Sequence, residues 1–179
     1  EMVDSELGEI PKGWDVLELG IVSDLLAGGD KPKNYSLIQT DELKTPIYSN
    51  GISQEGLYGF TDIPKVIEES VTVSAIGTIG FVCLRTQPYV PIVRLISAIP
   101  KEGFITNKYL YLWLKNQKIY GNGTTQQQLT IPDFKKSKIL VPNYDILVKI
   151  TQVWNSFFES IFKIREENKH LINLRDTLL

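Results

Sequence analysis

From residue 146 onward the apolar positions fall at Ile146, Ile150, Val153, Phe157, Ile161, Ile164, Leu171, Leu174 and Leu178. Steps of three and four, with Asn168 standing in the one gap, trace a single helical stripe. Pro142 stands just before the run, Asn143 is a candidate N-cap, and Asp145 places a carboxylate in the first turn, where the helix dipole favours it. The pattern predicts a helix over residues 143–179, on the order of 50 Å long at 1.5 Å per residue. A body of about 140 residues is only about 30 Å across. Much of the helix is therefore expected to project, with an apolar stripe that calls for a partner helix the remaining chain does not offer.

Upstream the pattern shortens. Residues 71–76 and 79–84 are two β-rich runs about Gly77-Thr78, which predicts a hairpin with a two-residue link. Residues 8–19 read as a turn at Pro11 and Gly13 followed by a short strand anchored by Trp14, Val16, Leu17 and Leu19. Residues 21–26 are a short helical candidate stopped at Gly28-Gly29, and 91–98 a strand candidate. Turn formers recur over 37–60 and suggest short strands with exposed loops. Residues 107–120 predict a helix capped by Thr106 or Asn107, with Leu110, Trp113 and Leu114 on its apolar side and Gly121-Asn122-Gly123 as its stop. Residues 131–134 and 138–141 then lead into Pro142. The expectation is an α+β chain: a globular domain of short strands and loops over 1–142, then one long coiled-coil-forming helix over 143–179.

Composition describes an ordinary soluble protein, 42% hydrophobic and 22% charged. The single cysteine, Cys83, lies in an apolar run and reads as a buried structural thiol that suits a reducing compartment. No run is long enough for a membrane span and no signal peptide is visible, so the cytoplasm is the expected location. The net charge of −2 hides an asymmetry. Residues 1–30 hold Glu1, Asp4, Glu6, Glu9, Asp15, Glu18, Asp24 and Asp30 against Lys12. Residues 101–138 hold Lys101, Lys108, Lys115, Lys118, Lys135, Lys136 and Lys138 against Glu102 and Asp133. Such a local basic surface suits phosphate contact, or is simply a solvated lysine face.

Catalytic chemistry is poorly supplied. The only histidine, His170, falls inside the long helix, and neither a dinucleotide-binding glycine motif nor a P-loop is present. A nuclease-like pattern can be assembled from Pro132-Asp133 and Glu167-Asn168-Lys169, but it would place its carboxylates far apart, whereas metal-binding carboxylates must share an ion. Binding chemistry is richer. Thr124, Thr125, Gln126, Gln127 and Gln128 lie between a Gly-Asn-Gly turn and Lys135-Lys136. Glutamine can pair with the adenine N6/N7 edge, threonine with bases or phosphates, and lysine positions phosphates.

Gly8-Glu-Ile-Pro-Lys-Gly-Trp14 with Val16-Leu-Glu-Leu19 resembles the opening of a target recognition domain from the specificity subunit of type I restriction-modification enzymes. Ser74-Ala-Ile-Gly-Thr-Ile-Gly-Phe81 resembles that family's central glycine hairpin. Gly123-Thr-Thr-Gln126, Leu129 and Ile139-Leu-Val-Pro142 resemble the closing segment that leads into a spacer helix. The chain departs from the pattern at Tyr144-Asp-Ile-Leu-Val148, where the family usually has a Gln. The resemblance implies a non-catalytic, cofactor-free reader of one half of a bipartite double-stranded DNA site. It also implies docking to methyltransferase and endonuclease subunits, and a homodimer or pairing with a second half-subunit through antiparallel helices. The implied DNA-reading loops hold Lys31, Lys33 and Tyr35; Ser49 and Asn50; Thr78; and residues 124–128, with Lys135 and Lys136 beside them. A protein–protein adaptor that docks a partner through the long helix is the alternative.

Overall fold

Short strands build most of the body, some alternating in burial, as at 23–27 and 138–141, others buried along nearly their whole length, as at 70–73 and 82–85. The computed structural model describes residues 1–123 and 127–178. In chain order, β1 (Met2–Ser5) and β2 (Gly8–Pro11) form an antiparallel hairpin. β3 (Asp15–Glu18), a one-turn α1 (Leu19–Val22) and β4 (Ser23–Ala27) follow. The helix expected over 21–26 is thus mostly strand. Ser23 and Leu25 are buried while Asp24 and Leu26 are exposed, a period of two that only a strand can satisfy. β5 (Thr45–Tyr48) and β6 (Leu57–Thr61) come next, then β7 (Ser70–Val73) and β8 (Val82–Arg85).

β7 and β8 pair antiparallel, Ser70 opposite Arg85 and Val73 opposite Val82. The expected hairpin is present, but its link is longer than two residues. Backbone bonds from Ser74 N to Phe81 O and from Gly80 N to Ser74 O, both 3.0 Å, close a turn over residues 74–81. The strand expected over 91–98 divides into β9 (Val90–Pro91) and β10 (Ile96–Pro100), because Val93 and Arg94 both take positive φ between them. α2 (Asn107–Lys115) starts on the Thr106 side chain, which accepts from Tyr109 N, and ends five residues before Tyr120. Asn116 N and Gln117 N bond back to Trp113 O and Leu114 O and finish the last turn there. α3 (Ile131–Lys135), β11 (Lys138–Val141) and α4 (Tyr144–Leu178) complete the chain.

The strands form a four-stranded antiparallel sheet in the order β4-β10-β7-β8, a three-stranded sheet β6-β5-β9 whose β5–β9 pair is parallel, and the antiparallel pair β11–β3. α2 packs on the four-stranded sheet. The main core between them includes Val71, Val73, Ile96, Ala98, Leu110, Phe134, Ile139 and Leu147, all essentially sealed from solvent. Cys83 is buried as expected, and burial pushes its thiol pKa up. A smaller cluster of Ile47, Val90 and Ile92, with Tyr35 against it, lies beneath the β5–β9 sheet.

α4 starts as anticipated: Asn143 Oδ1 accepts from Asp145 N at 3.0 Å. It does not stand clear of the body at once. Leu147 is fully buried, Thr151 meets Thr106 at 3.0 Å, and Lys108 Nζ donates to Asn155 Oδ1 at 2.6 Å. Tyr109 stacks between Trp113 and Trp154, and Tyr111 meets Phe158 edge-on. Arg165 pairs with Glu55 at 3.0 Å, the last polar tie from α4 to the body among the described residues. The expected projection is therefore confined to the tail that follows. Ile146, Val153, Phe157, Ile164, Leu171, Leu174 and Leu178 are exposed. Ile161 is exposed at the rim of a cleft it shares with Tyr111 and Phe158. Asn168 is exposed among them and Ile150 is half-buried.

Candidate nucleic-acid interface

The loops singled out in the sequence are tied to one another by backbone and amide hydrogen bonds. Thr124, Thr125 and Gln126 lie outside the described residues. Ser49 N donates to Gly56 O at 2.8 Å and closes residues 49–56 into a turn whose Gln54 and Glu55 take positive φ. Asn50 stands at the junction. Its Oδ1 accepts from Ala75 N at 2.7 Å and Ile76 N at 3.4 Å, and its Nδ2 donates to Val93 O at 2.6 Å. The side chain expected to read DNA thus has its amide engaged in joining three loops.

The 74–81 turn is joined in turn to the loop after α2. A Cβ at Gly121 would stand 2.6 Å from Ile79 Cδ1 and 2.8 Å from Gln128 N, so only glycine permits that approach. Asn122 and Gln128 exchange backbone bonds of 2.9 and 3.0 Å, and Leu129 N donates to Ala75 O at 2.9 Å. Ile52, Thr78, Ile119, Tyr120 and Gln127 then line an open cleft of about 560 Å³. The Thr78 hydroxyl oxygen is buried with no hydrogen-bond partner among the described residues.

The corner at Val93-Arg94 is the strained part of this surface. Leu95 N donates to Ile92 O at 3.1 Å across two residues with φ of 52° and 60°. That is the pattern of a type I′ turn, which ordinarily takes Asn-Gly. Left-handed backbone costs about 1–2 kcal/mol at each side-chain-bearing residue. Gly29 O accepts from Val93 N at 2.9 Å, Gly28 O accepts from Arg94 N at 2.8 Å, and Asn50 bonds Val93 O, which together hold the corner. A Cβ at Gly28 would lie 2.7 Å from Ile92 N, so the two chain segments meet backbone to backbone. Exposed Arg94 donates from Nη1 to Gln128 Oε1 at 2.8 Å and so reaches the 121–128 loop.

Residues 31–35 continue the same surface. Lys31 Nζ lies 3.6 Å from the Tyr35 ring centre and 5.6 Å from that of Tyr58. The Tyr35 phenol raises the Lys31 pKa, and the ammonium lowers that of the phenol. Asn34 Nδ2 donates to Asp62 Oδ2 at 2.9 Å, and the bond holds the Asp62 carboxyl below the usual range. Thr61 Oγ1 donates to Asn34 O at 2.6 Å. Lys33 is exposed, and Lys65 Nζ would come 3.6 Å from a Cβ at Gly29. Arg94, Lys65 and Tyr58 were not apparent as site residues from sequence. Arg94 did leave a signal, a lone charge inside the apolar run 91–98.

Lys135 and Lys136 stand at one remove from these loops. The Lys135 stem packs 3.0–3.4 Å from a Cβ at Gly20 of α1. α3 reaches the loops through Asn122 Nδ2, which donates to Asp133 Oδ2 at 2.9 Å. Hydrogen bonds from the Thr130 hydroxyl and this Asn122 amide hold the Asp133 carboxyl below its ordinary range. Asp133 is thereby committed to the start of α3, and among the described residues no group of three His, Cys, Asp or Glu is placed to share a metal ion. No helix among them is long and apolar enough to cross a membrane.

The family model for the type I restriction modification DNA specificity domain matches residues 11–174, body and long helix together. A Mycoplasma pneumoniae protein named as a type I specificity subunit is 37% identical over 123 residues, covering 69% of this chain and 34% of that protein. The HindI type I restriction enzyme specificity subunit of Haemophilus influenzae is 26% identical over 191 aligned positions, covering 95% of this chain and 41% of its own. The crystal structure of a type I restriction-modification S subunit from M. genitalium superposes with a TM-score of 0.66 at 22% identity, covering 84% of this chain and 41% of that one. That last likeness is one of fold. The chain spans a third to less than half of the length of these relatives.

Proposed function

This chain belongs to the type I restriction-modification DNA specificity domain family, and on that premise we propose that it is a non-catalytic DNA reader. The loop surface reads one half of a bipartite double-stranded site. α4 acts as the spacer that pairs antiparallel with a second such helix, from another copy or from a second half-subunit. The paired assembly docks methyltransferase subunits, and endonuclease subunits join it for cleavage. The observation that carries the reading is the loop surface itself: Asn50, Gly121 and Arg94 knit four separate segments into one rigid, partly cationic face. Sequence readout needs groups held in register before the duplex arrives, with phosphate contacts setting orientation and base contacts setting choice.

DNA binding by the purified chain, falling steeply with salt, is the expected outcome. The sharper test compares two pairs of substitutions. Gln126→Ala with Gln127→Ala should weaken binding to the cognate half-site more than to random duplex, by about 1–3 kcal/mol for each bidentate pairing with a base that the change removes. Lys135→Ala with Lys136→Ala should weaken both similarly and flatten the salt slope. Methylome sequencing of a host carrying this gene with its methyltransferase supplies the cognate motif. If no salt-dependent binding were seen while α4 still captured a partner, the adaptor reading would replace this one.

A further inference from the structure

We infer that Arg94 is a guanine-reading residue of the loop surface, aimed by the strained corner that carries it. The inference rests on the DNA-reading function proposed above and names the residue and base it uses. The chain's arginines are Arg85, Arg94, Arg165 and Arg175. Arg85 is buried, donating to Thr72 Oγ1 and Glu55 O. Arg165 pairs with Glu55, and Arg175 with Asp176, both on α4. Arg94 alone stands exposed on the loop surface, and among the described residues it has no carboxylate partner, only the neutral Gln128 amide.

That combination fits a reader better than a brace. A structural arginine would be expected to bury its stem or neutralise its charge, and Arg94 does neither. One N–H goes to Gln128, which orients the guanidinium and leaves further donors in their fork geometry. Two parallel donors of that kind match guanine O6 and N7 in the major groove, the commonest specific contact between a side chain and a base. The backbone is built to the same end. Positive φ at Val93 and Arg94 lets Ile92 and Leu95 both turn into the core while Arg94 points outward. The bonds from Gly28, Gly29 and Asn50 keep that corner from relaxing. Gln128, whose position suggested a base reader, becomes a positioning residue for Arg94.

The experiment is selection from a pool of randomised duplex DNA with the full chain, its Arg94→Lys variant and its Arg94→Gly variant. Glycine suits the φ of 60° at this position, so folding is not at stake, and a thermal melt of each variant verifies it. The wild type should enrich a motif containing a guanine that both variants cease to prefer, its discrimination falling about tenfold or more. Lysine should not rescue, because it offers a point charge rather than a fork. A motif unchanged in both variants would overturn the inference while leaving DNA reading in place. Rescue by lysine, with a uniform loss of affinity and a shallower salt slope in Arg94→Gly, would overturn it in favour of a phosphate contact. Absence of any enriched motif for the wild type would overturn the DNA-reading function and this inference together.

Discussion

α4 carries two apolar faces that meet opposite fates. The inward face, with Leu147, Trp154 and Phe158, is buried or half-buried against the body, Tyr109 of α2 stacking on Trp154 and Tyr111 meeting Phe158. The outward face repeats Val, Ile, Phe and Leu at the same helical spacing and stays largely open to solvent: Phe157 is 63% exposed and Ile164 55%. Adjacent residues make the contrast plain, since Phe158 is 9% exposed beside Phe157. A helix that needed only to dock on its own domain would carry polar residues on the far side. The inward face makes α4 a rigid extension of the body. The outward face leaves a row of large apolar side chains, each worth roughly 1.5–3 kcal/mol when fully buried.

The largest effect should come from the outward face. Phe157→Glu with Ile161→Glu would remove two of those side chains from each of two paired helices and place charges on the seam. Sedimentation at micromolar concentration should show the intact chain associating and the variant monomeric, with the melting temperature of the monomer little changed. An isologous pair is the arrangement expected of two identical chains, and Asn168 within the stripe is a candidate for setting its register. A monodisperse intact monomer, indifferent to the two substitutions, would dissolve the contrast between the faces.

The inward face should answer in the opposite way. Leu147→Ala should cost about 2–5 kcal/mol and Phe158→Ala about 3–5 kcal/mol of stability, from the forfeited transfer energy and the cavity left behind. Chemical denaturation would measure both. Association should persist wherever the variant is still folded, because the outward stripe is untouched. Loss of association without loss of stability would mean that the assignments of the two faces are reversed.

The outward stripe could be read from sequence because three- and four-residue steps need no knowledge of the partner. The inward face escaped notice for a physical reason: it is built of aromatics, Thr151 and Arg165, whose burial depends on where α2 lies. Distance along the chain hides that position. The same limit governs the loops. Gly77 marked a turn, but the link runs over 74–81 and takes in Gly80, and the Gly-Asn-Gly stop lies beyond the end of α2 at Lys115. Thr106 and Asn143 capped the helices they were expected to cap. The division of 91–98 at Val93-Arg94 could not be foreseen, since neither residue favours positive φ and the bonds that impose it come from Gly28, Gly29 and Asn50. Asn50 itself looked like a polar group free for DNA, because the sequence does not show that residues 75, 76 and 93 converge on it.

The smallest effect should come where the clasped and free parts of α4 meet. Glu55 holds a left-handed turn, its carbonyl oxygen accepting from Arg85 Nη2 at 2.6 Å, and its carboxylate lies 3.0 Å from Arg165 and 3.8 Å from Arg85. Arg85 is almost wholly buried and stacks 3.5 Å over the Tyr48 ring, so that end of the chain of charges is fixed. The Arg165 end is not: its side chain is 55% exposed and that of Glu55 42%. An ion pair so open to water is worth roughly 0.2–1 kcal/mol after screening. Arg165→Gln should therefore shift stability by no more than about 1 kcal/mol, and that shift should shrink further in high salt. A loss of several kcal/mol would mean that the charge pair, rather than the aromatic seam above it, fastens the helix to the body. The informative readout is geometric. Spin labels at exposed positions on the α4 tail and on the body should report a broader distance distribution in Arg165→Gln than in the wild type, because the last tie before the free segment is gone. An unchanged distribution would place the end of the rigid segment at Phe158 and its aromatic neighbours, and would shorten the clasped part of the helix accordingly.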